Sequence, residues 1–346
     1  MPEGHSVHRI TRQFARNFVG KPVVLSSPQG RFVAGAEQLS GHVMTDARAV
    51  GKQMFLEFDN ELWLRIHRGM YGAWDFSGDI LMDATIASAN GRMGQTGQRG
   101  TDLGASDPGG TDPGGTDPDT VLDSAGENSM HSIGAPRRTR VRMSEQEKEL
   151  GGLDSFPPEP VGQVRVRLLT DTVCADLRGP TACEVLDSGR VDSVIARLGP
   201  DPQLDHSAAA EDRFTGVVRR KPTPIALLLM DQSVVSGIGN VYRAELLFRA
   251  RVNPHAPGKT LREETVRGLW RDWAHLLGIG VRTGQMMTMD DLGADDYVNA
   301  MKNRADRHWV YKREGLPCRV CGTHIALEEL GARKLYWCPS CQRPSA

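Results

Sequence analysis

The sequence predicts an α+β chain of several domains: an N-terminal β-sandwich with a leading helix, a small helical domain, and a C-terminal β-hairpin clamped by a metal ion. Three observations predict this. Short apolar runs of strand length, separated by Gly, Asp and Asn, dominate the chain up to about residue 205, apart from one atypical tract. From about residue 212 the apolar spacing turns helical. Near the C-terminus stand two pairs, Cys318-x-x-Cys321 and Cys338-x-x-Cys341.

Taken in order, residues 4–18 place His8, Ile10, Phe14 and Phe18 near helical spacing, which predicts the leading helix. Strands are expected at Val23-Val24-Leu25, at Phe55-Leu56-Glu57-Phe58 and at Leu62-Trp63-Leu64-Arg65-Ile66. Val164-Arg165-Val166-Arg167-Leu168-Leu169 alternates with period two. Residues 1–205 therefore read as the sandwich domain. Residues 78–163 read as an insertion within it. They are rich in Gly, Asp, Ser, Thr and Pro, and carry the near-repeat Asp107-Pro-Gly-Gly-Thr, Asp112-Pro-Gly-Gly-Thr, Asp117-Pro. Large apolar residues are too few there to bury a core, so disorder is expected. Arg137, Arg138, Arg140 and Arg142 form a basic cluster inside it, read as a solvated charge run, with a flexible phosphate contact as the alternative.

The next domain spans 206–305. Residues 224–231 predict an apolar helix with Pro224 in its first turn. Gly237-Ile238-Gly239-Asn240 breaks it, residues 241–248 start another, and two more helical segments are expected near 260–281. Residues 306–346 form the metal-clamped hairpin.

The charge is uneven. The 346-residue chain carries a formal net −1, but residues 78–163 hold fourteen acidic and seven basic side chains, which leaves the remainder at +6. That local surplus suits a polyanionic partner. The sequence has no apolar run of membrane-spanning length and no secretory leader, which predicts no membrane partner. With four of six cysteines in one metal pattern, a reducing cytoplasm is expected, nucleoid-associated if the cell is bacterial. Cys174 and Cys183 read as small buried or half-buried side chains rather than a disulfide.

Two features carry chemistry. Each Cys-x-x-Cys pair sits on a tight turn that aims two thiolates at one tetrahedral ion, and sixteen residues separate the pairs. This predicts one structural Zn2+ held by Cys318, Cys321, Cys338 and Cys341. Nothing else marks a disulfide protein. Between the pairs, Arg333-Lys334-Leu335-Tyr336-Trp337 offers basic groups to a phosphate backbone and aromatics to unstacked bases. The second feature is Pro2. Removal of Met1 exposes a secondary α-amine, a group with a pKa of about 7.7–8.0 and hence partly unprotonated near neutrality. Attack on a sugar C1′ makes an iminium, and the adjacent Glu3 shuttles protons.

Several motifs in this order resemble one family: Pro2-Glu3 at the start, Gly51-Lys52 before a strand, and Asp231-Gln232 through Glu245 around the Gly-Ile-Gly-Asn turn. To these are added Trp309-Val310-Tyr311-Lys312-Arg313-Glu314-Gly315 ahead of the first cysteine, and Arg333 five residues before Cys338. The chain, apart from residues 78–163, is similar to the formamidopyrimidine-DNA glycosylase/endonuclease VIII family of base-excision repair enzymes. The resemblance implies a β-sandwich, a helix-two-turn-helix domain and a zinc finger. It implies that Pro2 is the nucleophile and Glu3 its acid/base partner. Lys52 matches a lysine that contacts the phosphate flanking the lesion and assists catalysis, and Arg333 an arginine that clamps phosphates around the extruded nucleotide. Asn240 matches the DNA-binding turn asparagine, and Glu245 falls on a family carboxylate.

His67-Arg68-Gly69-Met70-Tyr71-Gly72 resembles the intercalation loop, with Met70 as wedge and Tyr71 beside it; either could instead be a core residue. The second void-filling loop falls near Leu177-Arg178-Gly179-Pro180, which departs from the Arg- and Phe-bearing form of the formamidopyrimidine branch. Pro-Glu-Gly-His resembles the endonuclease VIII branch, which prefers oxidised pyrimidines. The implied protein is a monomeric bifunctional DNA glycosylase/AP lyase. Its substrate is double-stranded DNA bearing oxidised bases or abasic sites, and it cleaves the strand by β- or β,δ-elimination. The alternatives are the same fold acting on oxidised purines (8-oxoguanine, formamidopyrimidine) and a non-catalytic zinc-finger DNA-binding protein.

Overall fold

The computed structural model describes residues 3–69, 72–81, 132–133 and 156–343. The leading helix, α1 (Gly4–Asn17), starts and ends close to the expected residues. Its apolar face, Val7, Ile10 and Phe14, is buried on the sandwich, where Phe14 packs against Phe18, Trp74 and Phe76 with ring centroids 4.7–5.3 Å apart. The opposite face, with His5 and Arg9, is buried as well, because it meets the helical domain. A helix covered all round is sandwiched between two layers.

Two antiparallel sheets form the sandwich. One runs β2 (Met44–Val50), β3 (Gln53–Phe58), β4 (Leu62–His67) and β9 (Ala182–Asp187) in spatial order. The other runs β1 (Val24–Ser26), β7 (Val164–Leu169), β8 (Val173–Arg178), β5 (Ala73–Gly78) and β6 (Ser132–Ile133). Leu56, Phe58, Leu64 and Ile66 of one sheet and Trp74, Phe76, Val166 and Leu168 of the other join one core with α1. Strands β1, β3, β4 and β7 stand where the apolar runs predict them. β2 has no such run, since Thr45 to Arg48 are exposed or half-buried and only Met44, Ala49 and Val50 are buried.

The insertion leaves the sandwich at the end of β5 and returns at the start of β7, two strands that both pair with β8. Leu81 is tied down where the chain leaves, its carbonyl accepting from Gln13 Nε2 and Asn17 Nδ2, each at 3.0 Å. Ser132 and Ile133 pair with Asp75 and Trp74 at the sheet edge. The expected disorder of the remainder and the cluster Arg137, Arg138, Arg140 and Arg142 lie outside the described residues.

After α2 (Val33–Leu39) within the sandwich domain, a short helix α3 (Ser188–Ala196) leads to the helical domain. It holds α4 (Ala208–Arg220), α5 (Ile225–Leu228), α6 (Asn240–Arg249), α7 (Glu263–Thr283) and α8 (Ala294–Lys302). The helix expected over 224–231 is a single turn, after which Asp231 Oδ1 accepts from Ser233 N and Oγ and draws the chain into a loop. The two segments expected near 260–281 are one helix of 21 residues, α7, preceded by a 3₁₀ turn at Gly258–Thr260. Gly280 belongs inside α7 because a Cβ there would lie 2.4 Å from the Tyr242 hydroxyl and 2.9 Å from His5 Cβ. The C-terminal strands β10 (Ala326–Glu329) and β11 (Lys334–Trp337) pair antiparallel. No described helix is long and apolar enough to cross a membrane.

Candidate active site and nucleic-acid interface

The site is built where the three parts meet. Glu3 is the residue before α1 and is fully buried. Its Oε2 accepts from Gly239 N at 2.6 Å and its Oε1 from Val241 N at 2.9 Å. A carboxylate so placed caps the N-terminus of α6, where the orphan N–H groups and the helix dipole favour an anion. Gly239 has no alternative here, since a Cβ would sit 2.6 Å from the Glu3 carboxylate. Gly4 N donates to Gly237 O at 2.9 Å, so the two backbones touch.

Lys52 arrives from the turn between β2 and β3. Its Nζ donates to Ile238 O at 2.6 Å, in the same loop that holds Glu3. Gly51, with φ of 57°, packs so closely that a Cβ would lie 2.7 Å from Ser236 Cβ. Gly51 N donates to Asp201 Oδ2 at 2.6 Å, and His8 Nε2 lies 2.8 Å from that oxygen. Burial lowers the Lys52 pKa and the Arg333 charge lowers it further, while Glu3 opposes both. Burial raises the Glu3 pKa, and the Lys52 ammonium is the strongest influence against it. The four groups Glu3, Lys52, Arg243 and Arg333 thus share one electrostatic neighbourhood.

Asn240 opens α6 and points at the hairpin, donating from Nδ2 to Lys334 O at 2.8 Å. Arg243, one turn on, donates from Nη2 to Asn240 Oδ1 at 2.5 Å and to Lys334 O at 3.0 Å. Arg333 and Lys334 are exposed beyond that anchor. Sequence reasoning did not single out Arg243 or Asp201, nor the bracing role of Gln232. Gln232 Nε2 donates to Ile238 O at 3.1 Å and its Oε1 accepts from Gly237 N at 3.0 Å, which fixes the glycine turn. The signal for these residues is three-dimensional, since each is an ordinary polar side chain in sequence.

Pro2, Met70 and Tyr71 lie outside the described residues. Around the latter two, Gly69 has φ of 64° and Gly72 N donates to Arg68 O at 3.0 Å, while Arg68 Nη2 donates to Ser6 Oγ at 3.0 Å. In the segment Leu177-Arg178-Gly179-Pro180 the first two residues end β8, with Leu177 buried in the core and Arg178 paired with Asp75. Glu245 is fully buried and accepts from Thr288 Oγ1, Trp309 N, Val310 N and Tyr311 N at 2.5–2.9 Å. It staples the segment that leads into the hairpin.

The ligand atoms of Cys318, Cys321, Cys338 and Cys341 all lie within 4.8 Å of one another. Cys318 and Cys341 Sγ are 3.9 Å apart and Cys321 and Cys338 Sγ 3.5 Å. A tetrahedral zinc with Zn–S of about 2.3 Å sets sulfurs about 3.8 Å apart, so the group fits. Val320 N and Cys341 N point at Cys318 Sγ and Cys338 Sγ, each at 3.5 Å, as suits thiolate acceptors. The four cysteines form a structural zinc site.

Comparison with known proteins agrees with this geometry. Residues 1–103 match the formamidopyrimidine-DNA glycosylase N-terminal domain, residues 198–291 the H2TH domain of the same enzymes, and residues 315–344 a zinc finger found in FPG and IleRS. Endonuclease 8 1 of Mycobacterium tuberculosis is 35% identical over 345 residues, spanning 99% of this chain and 100% of that protein. Formamidopyrimidine-DNA glycosylase of Thermus thermophilus is 36% identical over 149 residues, 43% of this chain and 55% of that one. The fold is that of the Lactococcus lactis Fpg in complex with DNA containing an abasic site, with a TM-score of 0.64, 16% identity, and coverage of 99% of this chain and 100% of that one. It is shared with the Thermus thermophilus MutM (Fpg) protein at a TM-score of 0.63 and 20% identity, with 100% of both chains covered. With three domain models in order and a relative matched over its full length, the chain belongs to the formamidopyrimidine-DNA glycosylase/endonuclease VIII family.

Proposed function

We propose that the chain is a bifunctional DNA glycosylase/AP lyase that removes oxidised bases, with pyrimidines preferred, from double-stranded DNA. The observation that carries this reading is the buried Glu3 carboxylate, held on the N-terminus of α6 with Lys52 beside it and the Arg333 charge bearing on Lys52. In this reading the Pro2 amine attacks C1′, and the bond from C1′ to the base breaks. The C1′–O4′ bond then opens as Glu3 delivers a proton to the ring oxygen or the leaving base, and the ring-opened sugar is left as an iminium on Pro2. Loss of the C2′ proton then expels the 3′-phosphate, and a second elimination releases the 5′ side. The imine takes up the electron pair, so no redox cofactor is required.

Lys52, Asn240, Arg333 and Lys334 meet the phosphates, with Met70 and Tyr71 filling the gap left by the extruded nucleotide. The pyrimidine preference is supported by Pro-Glu-Gly-His and by the full-length similarity to an endonuclease 8. The units acting together are 1–205, 206–305 and 306–346, in a monomeric cytoplasmic protein. Borohydride trapping on a panel of single-lesion duplexes tests the proposal. Wild type should form a covalent adduct with oxidised-pyrimidine and abasic duplexes, and Pro2→Gly should trap at least about tenfold less. An adduct mapped to a lysine, with Pro2→Gly trapping normally, overturns it. Faster excision of 8-oxoguanine than of oxidised pyrimidines overturns the preference alone.

A further inference from the structure

We propose that Arg243 is a positioning residue for Arg333: its guanidinium grips the carbonyls at both ends of the turn that carries Arg333 and so sets where that cation meets a DNA phosphate. The inference rests on the reading of Arg333 as a phosphate clamp. Arg243 is fully buried on α6, three residues after Asn240 and hence on the same face. Its Nη2 reaches Lys334 O at 3.0 Å and its Nη1 reaches Leu330 O at 3.4 Å. Those two residues bracket the turn at 331–333.

The turn needs such a grip. Gly331 and Ala332 both have positive φ, 62° and 56°, and the turn's own closure is Leu330 N to Arg333 O at 2.9 Å. A left-handed alanine is an unfavourable conformation for an L-residue and persists only when its surroundings hold it. Asn240 Nδ2 shares the Lys334 carbonyl with Arg243, so one oxygen takes two donors from α6.

The partners of Arg243 also say what it is for. Among the described residues no carboxylate pairs with it; its acceptors are Asn240 Oδ1 and the two turn carbonyls. Glu3 and Glu328 act on this cation only through space, so its hydrogen bonds all go to dipoles, and a displaced turn leaves charged donors unpaired in a dry site. Docking of the zinc hairpin has other fastenings. Glu245 holds residues 309–311, and Gln342 bridges Cys338 N and Val252 O at 2.8 and 3.0 Å. The bonds of Arg243 to the hairpin reach only the turn.

The test uses the full-length zinc-loaded protein and a duplex with a tetrahydrofuran abasic analogue, which binds without reacting. Affinity is measured over a salt series for wild type, Arg243→Lys, Arg243→Leu, Arg333→Ala and Arg243→Lys combined with Arg333→Ala, with zinc content by elemental analysis. Arg333→Ala should weaken binding about tenfold and reduce the salt slope by about one. Arg243→Lys keeps the charge but loses the fork that spans two carbonyls, so it should weaken binding several-fold and lower the slope in the same way. In the Arg333→Ala background it should change affinity by less than about twofold. One zinc per chain should be retained throughout.

Wild-type affinity in Arg243→Lys, effects that multiply in the double variant, or loss of zinc from Arg243→Lys would each overturn the inference. Wild-type affinity in Arg333→Ala would instead sink the phosphate-clamp reading, and the inference with it. Borohydride trapping by the wild type reports separately on the proposed activity.

Discussion

Glu3 and Glu245 are both fully buried, and both take N–H groups from backbone segments that would otherwise have no partner. Beyond that their surroundings diverge. Glu245 receives four donors, three amides and the Thr288 hydroxyl, which matches the lone-pair sites a carboxylate offers. Glu3 receives two amides and has the Lys52 ammonium as its strongest charged neighbour. Burial raises the pKa of both. Against it stand fixed hydrogen bonds at Glu245, but at Glu3 the Lys52 charge first and the two amides after it. A saturated carboxylate is a staple; one with spare oxygen lone pairs and a lysine ammonium beside it can give and take a proton.

The largest effect expected from this contrast is catalytic. Glu3→Gln keeps the shape at the α6 N-terminus but has no proton to deliver. Single-turnover excision of an intact oxidised base should fall about 10²–10⁴-fold, with strand cleavage at a ready-made abasic site far less affected. Equal losses in the two assays would place Glu3 outside base expulsion. Next comes stability. Glu245→Gln replaces a charged acceptor of four bonds by a neutral one, which should cost roughly 2–4 kcal/mol in denaturant unfolding and loosen the segment at 309–311. Excision per correctly folded molecule should stay near wild type; a large loss there would make Glu245 a chemical participant.

The smallest effect is a pH dependence. Because burial raises the folded pKa of Glu3 above the ordinary 4.5, folding favours its protonated form. That contribution is fully present below the ordinary value and is lost as pH rises through the raised one. Glu3→Gln removes it, so the melting temperature of the variant relative to wild type should climb as pH is raised from about 4.5 toward neutrality. A difference that is flat across that range would contradict the raised pKa.

Legibility in the sequence followed the range of the interactions. The zinc ligands are written in local spacing, Cys-x-x-Cys twice, and the hairpin follows from them. Strands β3, β4 and β7 announce themselves by apolar runs. β2 does not, because Thr45, Asp46, Ala47 and Arg48 in its middle contribute no fully buried side chain. Helix α1 was legible by spacing, yet nothing in Gly-His-Ser-Val-His-Arg shows that His5, Ser6, His8 and Arg9 are buried. That burial comes from the partner domain, through contacts such as His5 with Gly280 of α7, some 275 residues away in the chain. Lys52 could be named only through resemblance and Glu3 only as the neighbour of Pro2, since what holds them, Gly239, Val241 and Ile238, lies about 190 or more residues downstream. Arg243 gave no warning at all. In sequence it is an arginine on an amphipathic helix, where solvent is the ordinary destination of such a side chain.

The clasp between α6 and the hairpin also sets an order along the chain. Glu3 and Lys52 precede by far the residues near 240 that cage Glu3, and Arg333 with the second cysteine pair follows later still in the sequence. A polypeptide cut short before the hairpin therefore carries the proposed nucleophile without the proposed clamp. The strand-breaking chemistry proposed above therefore waits on the hairpin and its zinc, and a polypeptide lacking them should bind and cut DNA poorly.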